Sequence, residues 1–197
     1  MKIIFATSNK GKLIEVRKIF SNESFEIVSL EEIGFDEDIE ETGKTFEENA
    51  FIKADTIFEK YNLPVIADDS GLLVRQLNDE PGIYSARYAG EAASYKDNNK
   101  KLISELGNFT QPYLAKFLCC AVFVSSKKRL SVSGELKGEI TKEYKGANGF
   151  GYDPIFKPEN CSITLAEMSL DEKSKISHRA IAFEELKTKI LELTFQQ

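Results

Sequence analysis

The sequence predicts an α/β fold, and three stretches carry that expectation. Residues 2–6 form a short apolar run, followed by a polar hexapeptide and then by Leu13, Val16, Ile19 and Phe20 at helical spacing, which reads as strand, loop and helix. Thr45-Phe46-Glu47-Glu48 has the spacing of a capping box and opens a helix predicted over residues 46–60, with Phe46, Ala50, Ala54, Ile57 and Phe58 on its inner face; residues 63–67 follow as a strand that ends at Asp68-Asp69. Residues 114–125, 129–136 and 137–144 then read as consecutive strands, the last two separated around Gly134 to Gly138, so an antiparallel meander is expected inside an otherwise α/β chain.

The remaining elements fill the gaps. Residues 25–30 are a further strand, and an acidic stretch containing Glu40-Glu41 leads to Thr42-Gly43. A polar helix is predicted near residues 94–106, after the punctuation of Glu80-Pro81-Gly82 and Ala89-Gly90-Glu91. Ser169-Leu170-Asp171-Glu172 is a second capping box. It starts a C-terminal helix marked by Ile176, Ala180, Phe183, Leu186, Ile190 and Leu193, with an interruption expected near Ser177. With no internal repeat, low-complexity segment or linker, residues 1–197 are read as a single domain.

Charge narrows the function classes. The formal net charge is −6, from 26 Lys and Arg against 32 Asp and Glu, which argues against a nucleic-acid-binding surface, since such affinity comes from clustered cations. Lys127-Lys128-Arg129 lies between two β-like runs and reads as a solvated hairpin turn. No apolar stretch has the length of a membrane span, and Ile3-Ile4-Phe5-Ala6 is too short for a signal-peptide core, so a cytoplasmic protein without membrane contact is expected. Cys119, Cys120 and Cys161 lack metal-ligand spacing and read as reduced, mostly buried small hydrophobes.

Four polar clusters have the residue types that nucleotide chemistry needs. Thr7, Ser8, Asn9, Lys10, Gly11 and Lys12 sit between strand and helix, where unpaired N–H groups and cations suit a phosphate; the same pattern also fits an ordinary N-cap, and the leading glycine of a Walker A loop is missing. Asp68-Asp69-Ser70-Gly71 offers carboxylates to a hard cation such as magnesium, or else is a turn with Asx hydrogen bonding. Adjacent aspartates in an extended chain point to opposite sides, so a turn is needed before both share one ion. Phe150 and Tyr152, set among Gly149, Gly151 and Asp153-Pro154, offer a flat ring to a base, or are core residues beside a turn. His178, the single histidine, and Arg179 form a donor pair suited to a carbonyl oxygen, with Lys173 five residues earlier on the same predicted helix.

In this order the clusters resemble the Ham1-like inosine triphosphate pyrophosphatase family. The resemblance runs from Ala6-Thr7-Ser8-Asn9-Lys10-Gly11-Lys12 through Glu41-Thr42-Gly43, Phe46-Glu47-Glu48-Asn49-Ala50, Ile66-Ala67-Asp68-Asp69-Ser70-Gly71-Leu72 and Pro81-Gly82-Ile83-Tyr84-Ser85-Ala86-Arg87-Tyr88, to Gly149-Phe150-Gly151-Tyr152-Asp153-Pro154 and Ser177-His178-Arg179. It departs at Ser8, where many members carry glycine. The resemblance implies an elongated central mixed β-sheet flanked by helices, two lobes around a nucleotide cleft, and a homodimer. It also implies hydrolysis of ITP, dITP and XTP to the monophosphate and pyrophosphate with Mg²⁺.

Carried over by position, Thr7, Ser8, Asn9, Lys10, Gly11 and Lys12 bind the triphosphate, Asp69 is general base and metal ligand, and Glu40 is a further metal ligand. Ser70 touches the substrate, Phe150, Gly151, Tyr152 and Asp153 hold base and sugar, and Lys173, His178 and Arg179 complete base recognition. Two competing readings stay open at this point. One is the related Maf-like pyrophosphatase class, whose members typically carry Ser-Pro-Arg-Arg where this chain has Asn9-Lys10-Gly11-Lys12. The other is a nucleotide-binding sensor without turnover.

Overall fold

The computed structural model describes residues 1–21 and 25–195. Their strands are β1 (Lys2–Phe5), β2 (Glu26–Ser29), β3 (Val65–Val74), β4 (Glu80–Pro81), β5 (Tyr113–Val124), β6 (Arg129–Ile140) and β7 (Phe156–Pro158). The helices are α1 (Lys10–Phe20), α2 (Phe46–Tyr61), α3 (Tyr95–Leu106), α4 (Leu170–Ile176) and α5 (His178–Phe195). The strands form one mixed sheet in the order β2-β1-β3-β5-β6-β7, with β4 attached to β3. β1 runs parallel to both β2 and β3, whereas β4 and β7 lie antiparallel to β3 and β6. The α/β class and the mixed sheet expected from the sequence are therefore observed.

By packing, the chain divides into two compact units: residues 1–69, 119–134 and 178 onward in the first, residues 70–118 and 135–177 in the second. In the first unit the alternation along β1 decides which helix covers which face. Ile3 and Phe5 join Val16, Phe20, Phe183 and Leu186 from α1 and α5, while Ile4 and Ala6 join Ala50, Ala54 and Ile57 from α2. Both faces are thus covered, which is why residues 2–6 read as a continuous apolar run rather than an alternating one. The second unit has its own core, in which Leu72, Val74, Leu102, Tyr113, Phe117, Phe156 and Leu165 meet.

Local chemistry sets the helix starts. Thr45 accepts the Glu48 N–H at 3.1 Å, but the Glu48 carboxylate takes the N–H of Lys44 rather than that of Thr45, so only half of the expected capping box forms. At Ser169 and Glu172 both halves are present. Ser177 then breaks the predicted C-terminal helix with an extended ψ of 148°, so Lys173 belongs to α4 and His178 and Arg179 open α5 instead of sharing one helix with it.

Two strand expectations change. Asp68-Asp69-Ser70-Gly71 is not a turn at a strand end: β3 continues through it to Val74, where β4 pairs with it. The two strands expected either side of Gly134 to Gly138 are a single strand, β6. Glycine in a strand also marks close backbone approach, and that is its role at Gly134. A Cβ there would stand 2.3 Å from the His178 carbonyl oxygen and 2.6 Å from the Ala182 nitrogen. Both neighbours are backbone and cannot turn aside. Gly134→Ala is expected to lower stability by about 1–3 kcal/mol, read as a lower urea midpoint at unchanged m-value. An unchanged midpoint would mean that the start of α5 shifts without penalty.

Candidate active site

Because β3 stays extended, Asp68 and Asp69 point to opposite sides and meet different partners. Asp68 is fully buried. Its Oδ2 receives Lys12 Nζ at 3.0 Å, Arg179 Nε at 3.3 Å and the Cys119 thiol at 3.6 Å, while Oδ1 is buried with no hydrogen-bond partner among the described residues. Arg179 is 2% exposed and also binds Glu15 Oε2 through Nη1 at 2.6 Å. Asp69, 7% exposed, accepts from Asn49 Nδ2 at 3.1 Å and lies 3.9 Å from Lys53 Nζ, which in turn pairs with Glu41 at 2.7 Å.

These surroundings tune the two carboxyls apart. Burial alone would raise Asp68, but Lys12, Arg179 and Lys53 outweigh it and hold the carboxyl well below the usual carboxylate range. For Asp69 burial prevails over the pull of Lys53 and Lys12, and the neighbouring Glu41 adds to it, so this carboxyl is raised. Burial works against the charge of Lys53, yet Asp69, Glu41 and Asp68 together keep its ammonium more basic than usual. In the same way Asp68 and Glu15 override the burial of Arg179 and raise its guanidinium. One carboxyl held low beside another that is raised is a pattern found in acid–base sites.

The polar hexapeptide supplies the cap of α1. Asn9 is the N-cap of α1 and accepts the N–H groups of Gly11 and Lys12 at 2.9 and 3.2 Å, while Thr7 Oγ1 accepts the Asn9 N–H at 3.2 Å. The side chain of Asn9 is thereby committed to the helix. Ser8 and Lys10 are exposed, and Thr7 and Lys12 half-buried. Glu40 is exposed; of the adjacent pair it is Glu41 that is tied to Lys53 and acts electrostatically on Asp69. Ser70 follows Asp69 in β3 and is half-buried, and His178 is buried at the start of α5.

The second unit holds the other cluster. Gly149 and Gly151 adopt positive φ of 74° and 63°, a turn that carries Phe150 between them. Asp153 Oδ2 accepts the Phe150 N–H at 2.9 Å and Lys173 Nζ at 2.6 Å, and the Lys173 ammonium stands 4.7 Å from the centroid of the Phe150 ring. Asp153 and Lys173 are buried. Tyr152 packs in the core with its hydroxyl donated to the Ser85 carbonyl at 2.9 Å, so of the two rings it is Phe150, half-buried, that faces outward.

The structure adds residues that sequence reasoning passed over. Lys53 and Asn49 lie three residues after Ala50 and Phe46, on the apolar stripe of α2, and a cation and an amide inside such a stripe are the signal that marks them. Glu15 gives no comparable signal, because its partner Arg179 is 164 residues away in sequence.

The model of the Ham1 family matches residues 3–189. The chain belongs to the Ham1 family. Among its relatives, a dITP/XTP pyrophosphatase of Thermoanaerobacter pseudethanolicus is 49% identical over 194 residues, 97% of each chain. One from Bacillus subtilis is 47% identical over 191 residues, 96% of each. Among solved structures, a Ham1 protein from Coxiella burnetii superposes with a TM-score of 0.88 at 38% identity, covering 98% of this chain and 99% of that one. The Ham1 protein of Staphylococcus aureus gives 0.86 at 41% identity with the same coverage. The Ham1 fold is therefore shared along nearly the whole chain.

Proposed function

We propose that this chain hydrolyses nonstandard purine nucleoside triphosphates, XTP, ITP and dITP, to the monophosphate and pyrophosphate. The relatives named dITP/XTP pyrophosphatase support the substrate class, and the observation that carries the chemistry is the placement of the two carboxylates, Asp68 against Lys12 and Arg179 and Asp69 beside Asn49 and Lys53. Asp69 accepts the proton of the attacking water, a role for which a raised carboxyl is better suited than an ordinary one. Lys12 and Lys53 neutralise phosphate charge, and Asp68, held ionised, keeps Lys12 and Arg179 in place.

Among the described residues no three His, Cys, Asp or Glu side chains form a ready metal cage. Magnesium does not need one, since it takes one or two carboxylates and completes its shell with water and substrate phosphates. Asp69 and a carboxylate of the Glu40–Glu41 pair supply hard oxygen of that kind. When bound, such an ion polarises the phosphoanhydride and acidifies water.

The base falls to the second cluster. Phe150 offers its ring to the purine, and Lys173, fixed by Asp153, is the donor for an acceptor at purine position six. Adenine carries a donor there and leaves two donors opposed, a mismatch of the kind that separates substrates by as much as roughly 10⁴–10⁵-fold. The reading includes the cytoplasmic setting and the homodimer that the resemblance implies.

The test is initial-rate pyrophosphate release from ITP, XTP, GTP, ATP and dTTP with Mg²⁺, with the monophosphate identified. The expected kcat/KM for ITP and XTP exceeds that for ATP by at least about 100-fold. Preference for dTTP would favour the Maf-like alternative, and binding without release would leave a sensor.

A further inference from the structure

The base-holding turn is fixed from outside by α3. Ser94 caps this helix with a complete capping box, its hydroxyl accepting the Asp97 N–H at 3.2 Å and the Asp97 carboxylate accepting the Ser94 N–H at 3.0 Å, so its first turn is held in place. Tyr95 and Asn99, four residues apart, share one face. Asn99 Nδ2 donates to the Gly151 carbonyl at 3.0 Å, and the Tyr95 ring meets the Phe150 ring at 6.3 Å between centroids, tilted by 39°.

Two features separate this contact from ordinary packing. Nothing lies within 4 Å of where a Cβ on Gly151 would be, so neighbouring atoms do not hem the turn in at that point; Asp153 holds the Phe150 N–H and Asn99 holds the Gly151 carbonyl. Asn99 is also 2% exposed with its Oδ1 buried and unpartnered, whereas in the adjacent Asn98 the Oδ1 accepts the Ala89 N–H at 2.7 Å and the amide donates to Ala86 at 2.9 Å. A buried acceptor left unsatisfied is a standing penalty that leucine, of similar volume, would not carry. Asn98 is explained by the loop it ties down, and Asn99 by its single donor to the Phe150 turn.

We infer that Tyr95 and Asn99 are positioning residues that set the angle at which Phe150 meets the purine base. The inference rests on the reading that Phe150 carries the base. Neither residue touches the phosphates or the reacting atoms in that reading, so they act on binding and not on the chemical step.

Kinetics of Asn99→Leu, Tyr95→Ala and Phe150→Ala in the full chain, with ITP as substrate and melting followed in parallel, test it. For Asn99→Leu the KM should rise about three- to tenfold, the size of one lost hydrogen bond, with kcat within about twofold and a melting temperature equal to or above wild type. Tyr95 is 47% exposed, so Tyr95→Ala should fold normally and raise KM in the same direction; it keeps the test available if Asn99→Leu does not fold. Unchanged KM in both, with KM raised in Phe150→Ala, overturns the role of α3 alone. Unchanged KM in Phe150→Ala overturns the base reading and the inference with it. A lower melting temperature with KM and kcat intact makes Asn99 purely structural and overturns the inference as well.

Discussion

Asp69→Asn should lower the turnover of ITP by about 10²–10⁴-fold while the fold survives. The loss follows from removing a carboxylate whose surroundings favour taking up a proton: burial raises the Asp69 carboxyl, while Lys12, Arg179 and Lys53 hold the Asp68 carboxyl low. Survival of the fold follows from the same burial. A site that favours the neutral carboxyl tolerates a neutral amide of the same shape, and Asn49 can still donate to the carbonyl oxygen of an asparagine. Lys53 keeps its 2.7 Å partner in Glu41. The check is single-turnover kinetics beside a thermal melt, and near-wild-type turnover in a folded variant would remove Asp69 from the role of base.

Arg179→Met is expected to act on stability first. It strips the guanidinium from between two buried carboxylates, Asp68 and Glu15, and breaking a buried ion pair from one side typically costs about 3–5 kcal/mol because a charge is left uncompensated. For a chain of this length that corresponds to a melting temperature lower by on the order of 10 °C. Glu15→Gln in the same background should recover part of the loss, since it neutralises one of the stranded charges, and the shortfall from additivity measures the coupling. Turnover should fall by a similar factor for every nucleotide, because in the proposed function Asp68, which Arg179 binds, and Lys12 serve the phosphates and not the base. A loss confined to ITP and XTP would instead put Arg179 at the base, the role that the resemblance implies.

Much of this protein was legible because it rests on local chemistry. The strand, loop and helix at the N-terminus, the helix capped by Thr45 and the helix after Ser94 all follow from apolar period, polar punctuation and side-chain caps, which act over a few residues. Misreadings came where long-range packing overrides a local breaker. Gly134 reads as punctuation and is instead the flat spot on which the start of α5 rests; Asp68-Asp69-Ser70-Gly71 reads as the end of a strand and is instead its continuation, in which Asp68 meets three partners inside the protein.

By itself, then, the sequence determined the α/β class, the helix caps and the clusters of residues able to meet phosphate, cation and base. Those depend on residue type and short spacing, which any reading of the chain retains. Only the tertiary structure decided what each member of a cluster does. Asp68 and Asp69 are chemically identical neighbours, and their difference arises from Lys12, Cys119 and Arg179 on one side of β3 and Asn49 and Lys53 on the other. Likewise Tyr152 is buried in the core and Phe150 only half-buried, though only Gly151 separates them in the chain. Burial and charge at a single atom are sums over neighbours brought from distant parts of the sequence, and no local pattern contains that sum.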